Sequence, residues 1–208
     1  DLTPEVTELK NEIQAFSKEI DLEFISQDIG DLMDDCQEGL DRIGKIVIDL
    51  KDFAHPGKKE PELCNVNVGI ASTLNVITNE LKYKATVVTD YSTVPLIMAV
   101  PQQINQVFLS ILVNAAQAIE ESGDITIRTY QEKKNVVVEI SDTGCGIPEA
   151  HLNKIFDPFF TTKEVGQGTG MGMNIAYNII EQHEGNIEVD SKVNKGTTFR
   201  IKLPVFEN

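Results

Sequence analysis

The sequence predicts an α+β protein, a two-layer α/β sandwich preceded by a helical, coiled-coil-like segment. Up to Pro56, apolar residues recur at alternating steps of three and four, which is typical of helices that pair along a seam. From residue 58 onward, short runs rich in β-branched residues are interspersed with longer helical patterns, which is typical of helices packed on a sheet. The 208 residues, 41% of them hydrophobic, suffice for one substantial core and a smaller appendage.

The first segment predicts one short and one long helix. The apolar positions are Val6, Leu9, Ile13, Phe16 and Ile20 in the first, and Ile29, Met33, Cys36, Leu40, Ile43, Val47, Leu50 and Ala54 in the second. An acidic break at Asp21 to Glu23 separates them, and the long helix should end at His55-Pro56-Gly57, because proline lacks an amide donor. Its stripe requires a partner helix from this chain or another; packing on the globular domain is the alternative.

The second segment predicts a mixed sheet with helices over one face. The β-like runs are Asn65 to Val68, Thr86 to Thr89, Leu96 to Met98, Asp124 to Thr129, Val136 to Ser141, Asn186 to Asp190 and Thr197 to Leu203. The helical runs are Gly69 to Tyr83, Gln102 to Glu121 and Met173 to His183. Short loops around Lys133 to Asn135 and Val193 to Gly196 predict two antiparallel hairpins.

Composition excludes several classes of protein. A net charge of −15 opposes binding to nucleic acid or anionic lipid, because an acidic surface repels phosphate. The three cysteines are widely spaced, which favours neither a disulfide framework nor a zinc site. With no signal peptide and no apolar run of about 18 residues, a cytoplasmic location is expected for this portion. A membrane anchor elsewhere in the full-length protein stays open.

A carboxamide interrupts the apolar face of the helix predicted from Gln102. The inward stripe runs Val107, Ile111, Asn114 and Ala118, so Asn114 stands where the pattern requires an apolar residue. Buried amides need hydrogen-bond partners. The side chain either bonds neighbouring backbone or faces a ligand.

An acidic glycine turn follows the strand that ends near Ser141. It reads Asp142-Thr143-Gly144-Cys145-Gly146-Ile147-Pro148. Glycine permits a tight turn and close approach of a flat ligand, while the carboxylate can accept from an exocyclic amine, as adenine would offer. An ordinary Asp-Gly turn is the alternative.

Four alternating glycines precede the last predicted helix, at positions 166, 168, 170 and 172. Free amides at a helix N-terminus, approached without Cβ obstruction, form a site for anions. A flexible surface loop is the alternative. The run completes neither a Walker A motif nor the G-x-G-x-x-G fingerprint, and the signatures of eukaryotic protein kinases are missing.

In this order and spacing, the segments resemble the ATPase domain of sensor histidine kinases, in the GHKL superfamily with gyrase B, MutL and the heat-shock chaperones. The resemblance covers residues 64 to 204 and implies the Bergerat ATP-binding fold. The N box resembles residues 105–118, the G1 box 142–148, the F box 155–163, the G2 box 168–173 and the closing strand 196–199. Four ordered motifs are specific where one would be weak.

The resemblance implies ATP and Mg²⁺ as ligands, with Asn114 on the metal, Asp142 on adenine and Thr197 beside the base. The implied nucleotide contacts are Asn114, Ala118, Asp142, Gly144, Gly146, Ile147, Phe159, Lys163, Gly168, Thr169, Gly170, Met171, Gly172, Met173 and Thr197. Ser110 departs from the family, which has a further Asn there, and Met171 and Met173 replace leucines.

Residues 1–57 resemble the C-terminal part of a dimerisation and phosphoacceptor region that lacks the H box, and residues 58–208 the catalytic domain. None of His55, His151 and His183 has an H-box context; the last two are expected to be surface or capping residues. The resemblance therefore implies transfer of the γ-phosphate of Mg-ATP to a histidine upstream of this chain. It also implies relay to a response-regulator aspartate, and a homodimer through the helices.

Two other functions are open. One is a GHKL ATP-driven conformational switch, in which a glutamate one turn before the metal-binding Asn activates water. Ser110 holds that position, and no acid lies between Gln102 and Ala118, which disfavours hydrolysis. The other is a non-catalytic interaction module, which rests on the heptad helix alone and predicts no affinity for nucleotide.

Overall fold

The computed structural model describes residues 4–19, 21–54, 60–82, 84–163 and 168–207. The chain divides into two compact units, Asp1–Ile48 and Asp49–Asn208.

The predicted pair of helices is present in the first unit. Helix α1 spans Pro4–Glu19, and helix α2 spans Leu22–Ala54, so that its last turns belong to the second unit. Between them Asp21 has a φ of 46°, in the left-handed region, which ends one helix and redirects the chain. Four of the predicted seam residues are exposed: Ile29, Met33, Cys36 and Leu40. The predicted stop at His55-Pro56-Gly57 lies outside the described residues.

A five-stranded mixed sheet forms one layer of the second unit. Its strands are β2 (Ala85–Tyr91), β4 (Gly123–Glu132), β5 (Asn135–Asp142), β6 (Asn186–Lys192) and β7 (Gly196–Pro204). They lie in the order β2-β4-β5-β7-β6. Strand β2 pairs with β4 in parallel, and the other neighbours are antiparallel, including the two predicted hairpins β4-β5 and β6-β7.

Three helices form the other layer: α3 (Val66–Leu81), α4 (Pro101–Ala118) and α6 (Gly172–Gln182). Helix α4 lies in the middle, because it packs against both α3 and α6 as well as β5. Its residues Val107, Phe108, Ile111 and Leu112 are all at 0% exposure, whereas Asn114, predicted on the same inward stripe, is only half-buried. The predicted two-layer α/β fold is therefore confirmed, and it fixes the C-terminal turn of α4 beside the end of β5.

The local differences from prediction have physical causes. The predicted strand Asn65 to Val68 is wrong: Asn65 is the N-cap of α3, and its side chain accepts from the amide of Asn67 at 2.9 Å. The helix predicted to reach Glu121 ends at Ala118, because Ile119 turns extended (ψ 116°) and enters the core. None of the described helices is long and apolar enough to cross a membrane.

Two short elements are additional to the predicted set. Strand β1 (Glu62–Cys64) pairs antiparallel with β3 (Ile97–Ala99) in a separate two-stranded sheet. The latter is the strand predicted at Leu96 to Met98, and it begins one residue later. Helix α5 (Glu149–Leu152) is a single turn after the glycine turn that follows β5. The two additional elements have three and four residues, which is too short for a periodic pattern to be recognised.

Candidate functional site

The carboxylate of Asp142 stands at the end of β5 and is 8% exposed. One of its oxygens, Oδ1, accepts from the amide of Gly144 at 2.8 Å and from that of Thr197 at 3.3 Å. The other, Oδ2, has no hydrogen bond to any residue within the described chain. Burial raises the pKa of Asp142, and the hydrogen bonds from the backbone amides of Gly144 and Thr197 oppose that rise. The site therefore holds one carboxylate oxygen fixed and presents the other as an acceptor.

Backbone packs directly against the glycines around Asp142. A Cβ added to Gly144 would lie 2.6 Å from the carbonyl oxygen of Ala118, which already accepts the amide of Cys145 at 2.9 Å. Gly146 and Gly196 have φ of 71° and 97°, and a Cβ on either would collide with a carbonyl oxygen. Main-chain atoms lie directly against all three glycines, so side-chain motion could not relieve the clash of an added Cβ.

Ser191, at the end of β6, joins the two loops of this region. Its hydroxyl accepts from the amide of Ile147 at 2.8 Å and donates to the carbonyl of Gly196 at 3.0 Å. The hydroxyl of Thr197 lies 2.9 Å from it and is therefore the donor in that pair. No sequence pattern indicated this role of Ser191. We call Ala118, Asp142, Gly144, Gly146, Ile147, Gly196 and Thr197 the carboxylate end.

The side chains of Asn114, Gln117 and Lys163 converge at the C-terminal turn of α4. The ammonium of Lys163 donates to Oδ1 of Asn114 at 3.1 Å and to Oε1 of Gln117. An ammonium only donates, so both amide oxygens are directed at the cation. The resemblance selected Asn114 and Lys163, and nothing in the sequence singled out Gln117.

The glycine run lies where α6 begins. Gly170, with φ 68°, is backed by the main chain of Phe159, whose own φ is 65°. Gly172 is open: a Cβ there would meet only Ser110, at 3.6 Å from its hydroxyl. The N-cap of α6, Met171, supplies no side-chain cap from the described residues, so the first amides stay available to a ligand.

The two earlier glycines of the run have less main chain around them in the described structure or lie outside it. Gly168 faces side chains, with Thr161 and Lys163 at 3.0 and 3.2 Å from an added Cβ. The first glycine of the run, Gly166, lies outside the described residues. We call Asn114, Gln117, Lys163 and residues 168–172 the carboxamide end.

One helical turn joins the two ends. Asn114 and Ala118 are four residues apart and therefore share a face of α4, about 6 Å from one another. Met171 is buried, and Ile147 and Met173 pack against the core, while Phe159 is 62% exposed. The structure thus brings the predicted residues to the region between β5, the end of α4 and the start of α6.

The two described histidines have structural partners. In His183, the C-cap of α6, Nδ1 donates to the carbonyl of Ile179 at 2.7 Å, and Nε2 accepts from the amide of Val100, the N-cap of α4, at 3.0 Å. The ring of His151 packs edge-on against Phe160 at 5.5 Å. The predicted capping role fits His183, and His55 lies outside the described residues.

The donor set bears on which metal would fit. Within the described residues, no group of three or more His, Cys, Asp and Glu side chains could hold a metal ion. Two carboxamide oxygens aimed at one cation suit a hard ion that takes few protein ligands and shares the rest with phosphates, as Mg²⁺ does.

Comparisons with known proteins give the family context. A family model described as "Histidine kinase-, DNA gyrase B-, and HSP90-like ATPase" matches residues 99–207. Sensor histidine kinase ZraS of Escherichia coli K12 is 34% identical over 79% of this chain. Sensor kinase CckA of Brucella abortus is 49% identical over 49% of it.

The fold has counterparts among solved structures as well. The nucleotide-free catalytic domain of histidine kinase ThkA superposes with a TM-score of 0.64 at 32% identity, over 70% of this chain and 96% of that domain. By contrast, the chain spans only 36% of the length of ZraS and 12% of that of CckA.

Proposed function

This chain belongs to the histidine kinase-, DNA gyrase B- and HSP90-like ATPase family, and from that premise we propose that it is the catalytic fragment of a two-component sensor histidine kinase. Its ATP-binding domain is of the sensor histidine kinase type. We assign residues 58–208 to that domain, and residues 1–57 to the C-terminal part of a dimerisation and phosphoacceptor region.

The observation that carries the proposal is the carboxylate of Asp142. Its Oδ1 is held by two amides, and its Oδ2 is left as an acceptor at a buried position. A buried acceptor of this kind fits the exocyclic amine of adenine, since an unpaired donor or acceptor would be costly there. Gly144 and Gly146 would allow the base to approach closely, and Thr197 would border it. Ala118 and Ile147 would flank the same base.

The carboxamide end would receive the phosphates and the metal. Free amides at the start of α6 would bind phosphate oxygens, approached through Gly168, Gly170 and Gly172. Asn114 would hold Mg²⁺, which supplies charge neutralisation at the phosphates when it is bound. Thr169, Met171, Met173 and Phe159 would shape the wall of this end, and Lys163 would reach the phosphates.

The reaction proposed is transfer of the γ-phosphoryl group of ATP to an imidazole nitrogen of a histidine upstream of Asp1. Positioning and charge neutralisation would supply the rate, because a phosphoryl transfer of this type needs little covalent chemistry from the protein. The phosphohistidine would then be relayed to a response-regulator aspartate. The helices would bring two copies together, since the described seam residues of α2 are exposed.

Phosphohistidine labelling tests this function. The 208-residue chain should bind ATP yet incorporate no acid-labile phosphate by itself. A longer chain that includes the upstream helix should become labelled on that helix's histidine, and the same chain with Asp142→Ala should lose most of the labelling. Labelling of the shorter chain at His55, His151 or His183 would refute the acceptor assignment. Steady hydrolysis of ATP by the longer chain without phosphohistidine would favour the ATPase switch.

A further inference from the structure

The contact between Lys163 and α4 carries an inference about how the proposed site is regulated, and it rests on the proposed function. The Lys163 ammonium lies on the oxygen of Asn114, the residue proposed to hold Mg²⁺, and on that of Gln117. A positive group thus already occupies the oxygens that a metal would require. The two cations compete for them, because an ammonium and a metal ion bound to the same two oxygens would lie next to each other, and like charges repel.

We propose that Lys163 is a resident cation that holds the metal-binding oxygens until Mg-ATP displaces it, and that Gln117 is the second carboxamide ligand of that position. Loading of the site is then an exchange of one cation for another rather than the filling of an empty place. Lys163 gives up its contacts with Asn114 and Gln117 in the same event.

The role of Gln117 follows from its position on α4. Ser110, one turn before Asn114, lies near Gly172 at the start of α6. Gln117 lies three residues after Asn114, so both side chains project from the same side of α4 and their oxygens meet at one cation.

Competition has a measurable consequence. The apparent affinity of the oxygens for a divalent cation is reduced by the fraction of time that the ammonium covers them. A neutral side chain of similar length at position 163 should therefore raise the affinity for a divalent cation without any nucleotide present. Because no phosphate is present in the nucleotide-free protein, such a gain could not come from a contact between Lys163 and phosphate.

The test is a titration of the nucleotide-free 208-residue chain with Mn²⁺, followed by paramagnetic broadening of the side-chain amide resonances of Asn114 and Gln117. Lys163→Met should bind Mn²⁺ about three- to tenfold more tightly than the wild type. Adding Gln117→Met to Lys163→Met should reverse that gain. The matched control is Lys154→Met, which removes the same charge from an exposed lysine and should leave the affinity within about twofold of the wild type.

Equal Mn²⁺ affinities for Lys163→Met and Lys154→Met would overturn the exchange. A gain that persists in the double variant would overturn the role of Gln117. Backbone amide spectra of each variant establish that the fold is retained. A parallel titration of the wild type with ATP and Mg²⁺ distinguishes the two levels: absence of ATP binding refutes the proposed function. Normal ATP binding with unchanged Mn²⁺ affinities refutes the exchange alone.

Discussion

The carboxylate end and the carboxamide end of the site are built in different ways. At the carboxylate end, main chain closes around a buried acid: the amides of Gly144 and Thr197 bind Asp142, and carbonyls back each glycine. At the carboxamide end, the contacts are made by the tips of long side chains, Gln117 and Lys163 among them. The first arrangement is set by the fold, and the second can change when rotamers change.

This difference matches what each end is proposed to bind. A rigid, flat base is best received by a preformed acceptor, because little ordering is then required on binding. The binding and release of phosphates and their metal change the charge at the site, and side chains with several rotamers can exchange partners in response. Gly170 is the exception at the carboxamide end, since the main chain of Phe159 lies directly behind it.

Two glycine variants should show the largest difference between the ends. Gly196→Ala should destabilise the protein by about 3 kcal/mol or more, because φ is 97° and the new Cβ would collide with the carbonyl of Asp142. Gly172→Ala should instead stabilise it by up to about 1 kcal/mol, since alanine favours a helix and only Ser110 is near. Chemical denaturation of both variants measures the two values. Similar losses at both glycines would contradict the difference between the ends.

Asn114→Ala tests the carboxamide end through its proposed metal. Mg²⁺ should strengthen ATP binding in the wild type, and the variant should lose most of that enhancement, about 10- to 100-fold, as the oxygen that holds the metal disappears. The affinity for ATP without Mg²⁺ should change little. Calorimetric titration with and without Mg²⁺ provides both numbers. If the Mg²⁺ dependence persists unchanged, Asn114 is only a structural amide.

Asp142→Asn tests the electrostatic character of the carboxylate end. Because burial raises the pKa of Asp142 above its usual value of 3.8, the acid stabilises the fold most when protonated, and this contribution is lost as the pH rises through the raised pKa. The Asn variant should therefore gain stability relative to the wild type as the pH rises from 3.8 through the raised pKa of Asp142. The gain is about 1 kcal/mol for each unit of the rise. Thermal melts across this range should show that the difference in melting temperature between the variant and the wild type increases with pH. A constant difference would mean that ionised Asp142 bears no cost of burial.

The sequence predicted the fold well, because strand periodicity and glycine turns are local patterns. The roles assigned to the residues of the carboxylate end stay predictions, and the structure brings those residues to one region. The sequence-based prediction failed at Asn65 to Val68, where alternating valines resemble a strand but the capping side chain of Asn65 starts a helix. It also missed Ser191 and Gln117, whose partners lie 44 and 46 residues away along the chain. Contacts of that separation depend on the packing of whole elements, which a local pattern does not encode.

The division of the site into two ends is tested most directly by whether Asp142 recognises the base and not the phosphates. The wild-type chain and Asp142→Ala are titrated with Mg-ATP and with Mg-tripolyphosphate, which keeps the charge of the phosphates but lacks adenine. We predict that the variant loses at least about tenfold in affinity for ATP, because the exocyclic amine of adenine would be buried without its hydrogen-bond partner. The variant should bind tripolyphosphate as the wild type does. Equal losses for the two ligands would contradict the assignment of Asp142 to adenine and, with it, the division of the site into two ends.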